Sequence, residues 1–246
     1  MIASDLAKTG VEIHGYDPAP VATPEGVIRH DAPRPAVEGS QVVLAITASA
    51  DAEKAMTQAL DGIEQGTIYA DLATAPPGLK VDLSEPAARH GLDFVDVALM
   101  GAVPGTGLAT PSLASGPGAA RYAAVINPLG GHVEAIGERP GDAAARKLLR
   151  SVVTKGLTAL LIEAMEAARK RGDAEWLWRH LVELLSGADE SLLDRFIAGT
   201  SKHVDRRIIE MESAQDLLES LAVPSPMTTA TVESLQRIRS TGMWIR

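Results

Sequence analysis

Four polar side chains recur at helical spacing in the second half of the chain. They are Lys147, Arg150, Ser151 and Thr154. Positions separated by three, four and seven residues lie on one face of a helix. Burial and the charge of Arg150 would both lower the pKa of Lys147, and such a lysine can take or give a proton at a carbinol oxygen. The pattern predicts an acid/base role for Lys147, with an ordinary solvated helix face as the alternative.

Another lysine could hold the acid/base role instead, and a second group of polar residues could contribute to a site. Lys155 is the competing lysine, about 80° further round the helix by the 3.6-residue period. A second helical stripe consists of His203, Arg206, Arg207 and Glu210. It could meet a carboxylate or a phosphate, although a charged helix face is more often simply solvated.

Three predicted strands end in residues that could contact a bound nucleotide. Asp17 follows the run Val-Glu-Ile-His-Gly-Tyr, where an acidic side chain can accept hydrogen bonds from ribose hydroxyls and would repel a 2′-phosphate. Thr47 and Ala48 follow the second run, and Thr74 follows the third. Ligands of open α/β sheets bind at the carboxyl ends of the strands. The alternatives are a plain turn at Asp17 and ordinary loop caps at the other positions.

A glycine-rich segment follows the fourth predicted strand. Together with the end of that strand it covers residues 96–107, and it contains Met100 and Gly101 next to the strand. Backbone amides of such a loop can bind a small anionic substrate. A loop of this kind without a basic partner is more often a simple turn.

The composition excludes several classes of function. The 246-residue chain, long enough for one or two domains, has a net charge of −9, so it is not expected to bind nucleic acid. Its longest apolar stretch, residues 157–165, is too short to cross a membrane. The N-terminus lacks the features of a secretory signal, so a cytoplasmic location is expected. The absence of cysteine excludes disulfides and zinc thiolate sites, and no metal-binding motif is found.

The elements that must position these residues differ between the two halves of the chain. In the first half, short β-rich runs alternate with helical windows, which is typical of βα units and a parallel sheet. The predicted strands cover residues 11–16, 42–46, 67–72, 92–98 and 132–136, and a helix is predicted for residues 51–60. Several strands are apolar almost throughout, which indicates helices on both faces of the sheet. Residues 1–140 therefore form a predicted doubly wound α/β domain.

The second half is predicted to be all helical. A helix over residues 142–170, with Asp142 as its N-cap, would run roughly 40 Å and could connect two domains. Further helices are predicted for residues 174–185, 191–198, 202–221 and 228–239. Trp176 and Trp178 are expected to anchor core or subunit packing. Residues 141–246 form the predicted helical domain.

The start of the chain predicts the distal part of a dinucleotide-binding unit. A helix over residues 2–8 leads into the first predicted strand and Asp17. In such units a first strand and a glycine-rich turn stand upstream, and backbone amides of the turn approach the pyrophosphate. The sequence contains no Gly-x-Gly-x-x-Gly motif, so this strand and turn are expected to be absent from the chain.

Together these features resemble the β-hydroxyacid dehydrogenase superfamily. The resemblance is closest to its 6-phosphogluconate-dehydrogenase-like NAD-binding branch with a helical C-terminal domain of the DUF1932 type, and it covers nearly the whole chain. It is carried by residues 2–6, 15–17, 71–74, 96–107 and 141–151, and by Glu163. The family places its catalytic lysine at the start of the interdomain helix, and the spacing to Glu163 favours Lys147 over Lys155.

Two departures from the family pattern concern the substrate. Arg150 and Ser151 stand where the wider family has an asparagine after its lysine, and Met100-Gly101 stands where it has Ser-Gly. The substrate is therefore expected to differ from the usual short hydroxy acids.

The resemblance implies an NAD(P)-dependent oxidoreductase that moves a hydride between nicotinamide and a small hydroxy acid or sugar-acid-like alcohol. Lys147 would be the acid/base, NAD is favoured over NADP because of Asp17, and no metal is expected. The predicted substrate-binding residues are Met100, Gly101, Arg150, Ser151, His203 and Arg207, and the predicted cofactor-binding residues are Asp17, Thr47, Ala48 and Thr74. The resemblance also implies a homodimer formed through the helical domain.

Two other functions remain open from the sequence. A non-catalytic dimeric scaffold or ligand-binding module is suggested by the missing pyrophosphate-binding turn. An imine reductase on the same fold is the second, although Lys147 speaks mildly against it because reduction of a protonated imine does not need that base.

Overall fold

The computed structural model describes residues 1–242, the side chain of Ser201 excepted. The chain divides into two compact units, Met1–Arg150 and Ser151–Arg246. The division lies within a long helix, after Arg150. The predicted domain boundary between residues 140 and 141 stays a prediction, and each unit is described here by itself.

The first unit contains two β-sheets. Its strands are β1 (Ile13–Gly15), β2 (Val27–Arg29), β3 (Val42–Ala45), β4 (Ile68–Asp71), β5 (Asp93–Leu99), β6 (Ser112–Ser115) and β7 (Val133–Gly137). β1 and β2 form a parallel pair, and the other five strands form a sheet in the order β3-β4-β5-β6-β7. Neighbours in the larger sheet are parallel except β5 and β6, which are antiparallel. The prediction of a parallel sheet is therefore wrong for β6 and β7, which both run opposite to β3, β4 and β5.

The connections between the strands explain these directions. The helices of this unit are α1 (Ile2–Ala7), α2 (Pro33–Val37), α3 (Ala52–Leu60), α4 (Pro77–Arg89), α5 (Ala119–Ile126) and the start of α6 (Asp142–Arg171). α3 and α4 separate β3, β4 and β5 and provide the crossovers that parallel strands require. Residues 100–111, which connect β5 to β6, contain only a short 3₁₀ turn at Gly107–Ala109. Without a crossover helix, β6 returns beside β5 in the opposite direction.

β4 and β5 are the buried centre of the larger sheet. Successive side chains of a strand point to opposite faces, and both faces of these two strands are apolar. Ile68 and Val95 pack on one face with Tyr122 of α5, whereas Tyr69 and Phe94 pack on the other face in the cluster that includes residues of α3 and α4. Helices on both faces account for the nearly continuous apolar runs of the sequence.

Each of the five predicted strands has a counterpart whose ends agree within two residues. β2 and β6 were not predicted. β6 has the sequence Ser-Leu-Ala-Ser, and its burial comes from packing between β5 and β7 rather than from its own apolar character. Such short strands carry too little local signal to be recognised from the sequence.

The described part of the second unit is helical. After α6 come α7 (Ala174–Ser186), α8 (Glu190–Lys202), α9 (Val204–Ser220) and α10 (Pro226–Thr241). Ala167 of α6 packs with Leu218 of α9 and with Val223 in a small core. Gln215 of α9 donates a hydrogen bond from Nε2 to Thr229 Oγ1 of α10 at 2.8 Å. Among the described helices, none combines the length and the apolar character needed to cross a lipid bilayer.

Candidate active site

Lys147 and Thr74, predicted from separate motifs, meet at the carboxyl edge of the larger sheet. Lys147 lies in the second turn of α6, and Thr74 follows β4 in the loop that leads to α4. Lys147 Nζ donates a hydrogen bond to Thr74 Oγ1 at 2.8 Å. The small pocket at this pair is lined by Ala73, Thr74, Ala75, Asp96, Val97, Ala98, Ala144, Lys147 and Leu148. An amine and a hydroxyl therefore share a pocket at the sheet edge where open α/β folds bind ligands.

Two buried side chains of the sheet hold the first turn of α6. Asp96 Oδ2 of β5 accepts a hydrogen bond from Ala144 N at 2.9 Å, and Ser115 Oγ of β6 accepts one from Ala143 N at 3.0 Å. Ser115 Oγ also donates to Asp96 Oδ2 at 3.3 Å. The first N–H groups of a helix have no partners within the helix, so these contacts satisfy them and fix the segment that carries Lys147.

A buried lysine lies behind the pocket between two carboxylates. Lys80 of α4 and Asp96 are both 0% exposed, and Asp71 at the end of β4 is 1% exposed. Lys80 Nζ lies 2.8 Å from Asp71 Oδ2 and 3.3 Å from Asp96 Oδ1, and it donates to the Asp71 carbonyl oxygen at 3.0 Å. Asp96 Oδ1 accepts no hydrogen bond in the described structure. The ion pair with Lys80 therefore offsets the cost of burying this oxygen.

The surroundings of Lys147 lower the pKa of its ammonium group. Burial is the largest cause, and the positive charges of Lys80 and, to a smaller extent, Arg150 act in the same direction. The negative charge of Asp96 opposes them. The predicted influence of Arg150 is present, but the larger charge effect comes from Lys80.

Thr47 and Ala48 follow β3 at the same edge of the sheet. Thr47 Oγ1 is buried and has no hydrogen-bond partner within the described residues, whereas Ala48 is exposed. A buried hydroxyl without a partner is uncommon in proteins and is usually satisfied by a water or a ligand. Thr47 Oγ1 is therefore free to bond a polar group of a ligand or a water.

Asp17 lies in a turn after β1. Its Oδ1 accepts a hydrogen bond from Ala19 N at 2.8 Å, as in the plain turn that the sequence allowed. Arg29, the last residue of β2, donates to the carbonyl oxygens of Asp17, Ala19 and Val21. Asp17 remains exposed, and the guanidinium of Arg29 is engaged by the loop backbone.

The glycine-rich loop after β5 is anchored to α1. Met100 is half-buried and bonds through its N–H to the Pro111 carbonyl at 2.7 Å, whereas Gly101 is exposed. Asp5 Oδ2 of α1 accepts a hydrogen bond from Leu108 N at 3.1 Å, and this bond is the main cause of the lowered pKa of Asp5. The loop is thus held at its far end, which leaves Met100 and Gly101 at the strand terminus.

Residues 1–137 match the NAD binding domain of 6-phosphogluconate dehydrogenase. The chain belongs to this family. Residues 168–238 match a domain of unknown function, DUF1932. The resemblance found in the sequence is confirmed, and so is the Rossmann-like domain followed by a long helix and a helical region.

Individual relatives agree with this assignment. An uncharacterized 28.5 kDa protein of Methanothermus fervidus is 29% identical over 143 residues, which are 54% of this chain and 55% of that protein, so the match spans about half of its length. A solved conserved protein of unknown function, described as structurally similar to 3-hydroxyacid dehydrogenases, is 28% identical, covers 97% of this chain and 92% of its own, and has a TM-score of 0.61.

More distant structures share the fold alone. An imine reductase variant from Myxococcus stipitatus in complex with NAD+ is 18% identical, covers 98% of this chain and 90% of its own, and has a TM-score of 0.82. The reductase from the same organism in complex with NADP+ has a TM-score of 0.79 and is also 18% identical.

Four further residues are predicted to bind substrate. Arg150 is exposed at the end of the first unit, and Ser151 is the first residue of the second unit. In the second unit, Arg207 donates hydrogen bonds to Phe196 O and Thr200 Oγ1, which fixes the α8–α9 junction, and His203 is exposed at that junction. No described contact tests their predicted roles in substrate binding.

The structure excludes one of the two roles expected for the tryptophans of the second unit, and it shows the contacts of Glu163. Trp176 and Trp178 are both 61% exposed, so they do not anchor a core within the described chain, and only the subunit role remains. Glu163 is buried and accepts hydrogen bonds from Met227 N, Thr228 N and Thr228 Oγ1 at the start of α10. Its contacts in this unit are those of a helix cap.

Sequence analysis missed Lys80 and Ser115 and did not single out the carboxylate of Asp96 as a partner. A lysine in a helix is normally solvated, so nothing near Lys80 in the sequence marks it as buried. The one available signal was Asp96 itself, a charge within an otherwise apolar run that had to find a partner. Within residues 1–242, no three His, Asp or Glu side chains come together to form a metal site.

Proposed function

We propose that the protein is an NAD(P)-dependent oxidoreductase acting on a small hydroxy acid or sugar-acid-like alcohol, with Lys147 as the acid/base. The observation that carries the proposal is the hydrogen bond between Lys147 Nζ and Thr74 Oγ1 in the pocket at the sheet edge. The lowered pKa of Lys147 supports a role in proton transfer. The NAD-binding family to which the chain belongs supports the class of reaction.

Oxidation of an alcohol removes a proton from its oxygen and a hydride from its carbon, and leaves a carbonyl. In the proposed reaction the neutral amine of Lys147 accepts the hydroxyl proton, and in the reverse direction the ammonium returns it. A dinucleotide, when bound, would supply the hydride acceptor or donor, and Thr47 and Asp17 would hold it. Thr74 accepts a hydrogen bond from Lys147, so it orients Nζ while its own O–H can donate to the substrate.

The chain's own residues fit such a cofactor at two points. Thr47 Oγ1 needs a partner at the end of β3, and the exposed carboxylate of Asp17 after β1 would accept hydrogen bonds from ribose hydroxyls. Ala48 would contact the cofactor next to Thr47. The Asp17 charge disfavours a 2′-phosphate, and Arg29 is already bonded to three carbonyls, so NAD is favoured. Tighter binding of NADPH than of NADH in calorimetry would contradict this preference.

The test is a rate comparison between two lysines of the same helix. Lys147→Ala is expected to lower kcat about 10² to 10⁴-fold on whichever acid of a panel of small 2- and 3-hydroxy acids and aldonic acids the wild type oxidises. Calorimetric affinity for NADH should stay unchanged. Lys155→Ala, a change at an exposed position, is the matched control and should retain the rate.

Chemical rescue sharpens this test. A small primary amine added to Lys147→Ala should restore part of the rate, because it replaces the missing acid/base. An unchanged rate in Lys147→Ala would overturn the assignment of Lys147.

Imine reduction is a second candidate, supported by the similarity of the fold to imine reductases. A protonated imine accepts a hydride without a proton from Lys147, so Lys147→Ala would keep its rate on such a substrate. Turnover of a cyclic imine, with none of any hydroxy acid, would favour this reading.

A non-catalytic dimeric scaffold or ligand-binding module is the third candidate, which the sequence leaves open. Calorimetry with NAD+, NADH, NADP+ and NADPH separates it from the other two. Binding of none of the four would favour the scaffold, whereas binding of any would favour an oxidoreductase.

A further inference from the structure

Both partners of the Lys147–Thr74 hydrogen bond are linked to one buried residue, Lys80. On one side, Lys80 Nζ binds the carboxylate and the carbonyl of Asp71, and Asp71 Oδ1 accepts a hydrogen bond from Ala73 N at 3.2 Å. Thr74 is the next residue. Lys80 therefore holds the start of the loop that presents the Thr74 hydroxyl.

On the other side, Lys80 reaches α6 through Asp96. One carboxylate oxygen of Asp96 lies 3.3 Å from Lys80 Nζ, and the other accepts the hydrogen bond of Ala144 N at 2.9 Å. Ala144 lies three residues before Lys147, on the same side of the helix. A single ammonium group thus sits between the two segments whose spacing sets the Lys147–Thr74 distance.

Stability alone does not account for this network. Burial of ion pairs costs desolvation energy, and their replacement by apolar residues of similar volume is often neutral or stabilising. All three charged groups are at most 1% exposed and lie directly behind the pocket. A role in the pocket explains why the charges are placed there.

We propose that Lys80 is a positioning residue for Lys147, which it places beside Thr74 through Asp71 and Asp96. This inference rests on the proposed function, in which Lys147 exchanges a proton with substrate. The described charges that act on Lys147 are Lys80 of α4, Asp96 of β5 and Arg150 of its own helix. Lys80 lowers the pKa of Lys147 and Asp96 raises it, and these opposite effects make the inference testable.

Competitive acetylation of amines with acetic anhydride across a pH series, read by mass spectrometry, reports the pKa of Lys147 without substrate or cofactor. The exposed Lys155 serves as the internal reference. Lys80→Met should raise the pKa of Lys147, and Asp96→Asn should lower it. In the same series Lys80→Met should lower kcat tenfold or more, and Lys80→Arg, which keeps the charge, should recover part of that loss.

Folding of each variant is checked by circular dichroism. If Lys80→Met alone does not fold, the pair Lys80→Met with Asp71→Asn removes both members of the closest ion pair and still predicts a raised pKa of Lys147. Opposite shifts in the Lys80 and Asp96 variants would support the inference. Shifts of the same sign, or no shift in folded variants, would overturn it and leave Lys80 a purely structural residue.

The labelling result is independent of the rate of Lys147→Ala. Failure of the proposed function appears as an unchanged rate in that variant, whereas failure of this inference appears as the wrong pattern of acetylation. The two failures are therefore distinguishable.

Discussion

Lys147 meets two requirements of an acid/base that usually conflict. It lines the pocket, where a substrate can reach it, and its surroundings lower the pKa of its ammonium group. A free lysine has a pKa of about 10.4 and is almost fully protonated at neutral pH. Burial and the charge of Lys80 lower the pKa of Lys147, while the bond to Thr74 keeps Nζ at a defined point. The same group can therefore give and take a proton in a range closer to neutrality.

A pH profile follows from this direction of shift. Only the neutral amine accepts a proton, so the rate of alcohol oxidation should rise with pH as Lys147 deprotonates and should level off below the value of about 10.4 for a free lysine. The rate of carbonyl reduction needs the ammonium and should fall through the same range. Steady-state rates in both directions between pH 6 and about 10 check this.

The control for the profile is Lys147→Ala, whose residual rate should not show this transition. If the oxidation rate still rises at pH values above the pKa of a free lysine, the pKa of Lys147 is not lowered. Opposite pH dependence in the two directions distinguishes the group from one that only binds an anionic substrate.

Single residues of this site differ in how far the sequence predicts them. Thr74 follows a recognisable strand, so its place at the sheet edge could be predicted. Lys147 lies in a recognisable helix, but its contact with Thr74 could not be predicted. Lys80 could not be predicted because its burial depends on three segments that come together only in the folded chain. The functional roles of Met100, Gly101, Arg150 and Ser151 stay predictions.

At the scale of elements, the contact between α1 and the glycine-rich loop depends on the absence of a side chain at Gly107. A Cβ there would overlap the Asp5 carboxylate, which accepts the hydrogen bond of Leu108 N. Gly107→Ala should therefore lower the free energy of unfolding by about 1 to 3 kcal/mol. Urea unfolding of the variant and the wild type measures the difference.

Gly105→Ala is the matched control in the same loop. Gly105 also has a positive φ, of 92°, but a Cβ there meets nothing within 4 Å. It should cost only the backbone strain of that conformation, about 1 kcal/mol. Equal losses in the two variants would show that strain, and not the contact with α1, is what matters at Gly107.

The start of α10 depends on the carboxylate of Glu163. Its carboxylate accepts three hydrogen bonds from Met227 and Thr228, at 2.6 to 2.9 Å. Glu163→Gln replaces one acceptor oxygen with an amide donor that faces an N–H group, so the free energy of unfolding should fall by about 2 kcal/mol. Glu166→Gln, an exposed position one turn later, should change it by less than about 0.5 kcal/mol. A similar small change in both would contradict the capping role.

Elements were predicted well where the signal is local and poorly where it is not. The long run without proline from Asp142 predicts α6 almost to the residue. The prediction of Asp142 as its N-cap is wrong. Asp142 is the first residue of the helix, and its carboxylate accepts a hydrogen bond from Arg139. The donors of the first turn are satisfied instead by Asp96 and Ser115 from distant strands, which no local pattern reveals.

At the scale of the whole molecule, α7 has an apolar face that the described chain does not cover. None of its residues is fully buried. Trp178, Val182 and Leu185 recur at helical spacing and are 61%, 48% and 44% exposed. Exposed apolar stripes of this kind are typical of interfaces, which supports the homodimer that the resemblance implies.

A substitution at the centre of this stripe tests the dimer. A two-fold interface uses each residue twice, and covering the exposed part of a tryptophan contributes about 3 kcal/mol per copy. Trp178→Glu should therefore weaken association by on the order of 10⁴-fold and give the 25.8 kDa monomer at micromolar concentration. Light scattering measures the mass, with Arg179→Gln, which also lowers the net charge by one, as the control on the same exposed helix. A monomeric wild type, or a Trp178→Glu variant that keeps the dimer mass, would show that this face is not the interface.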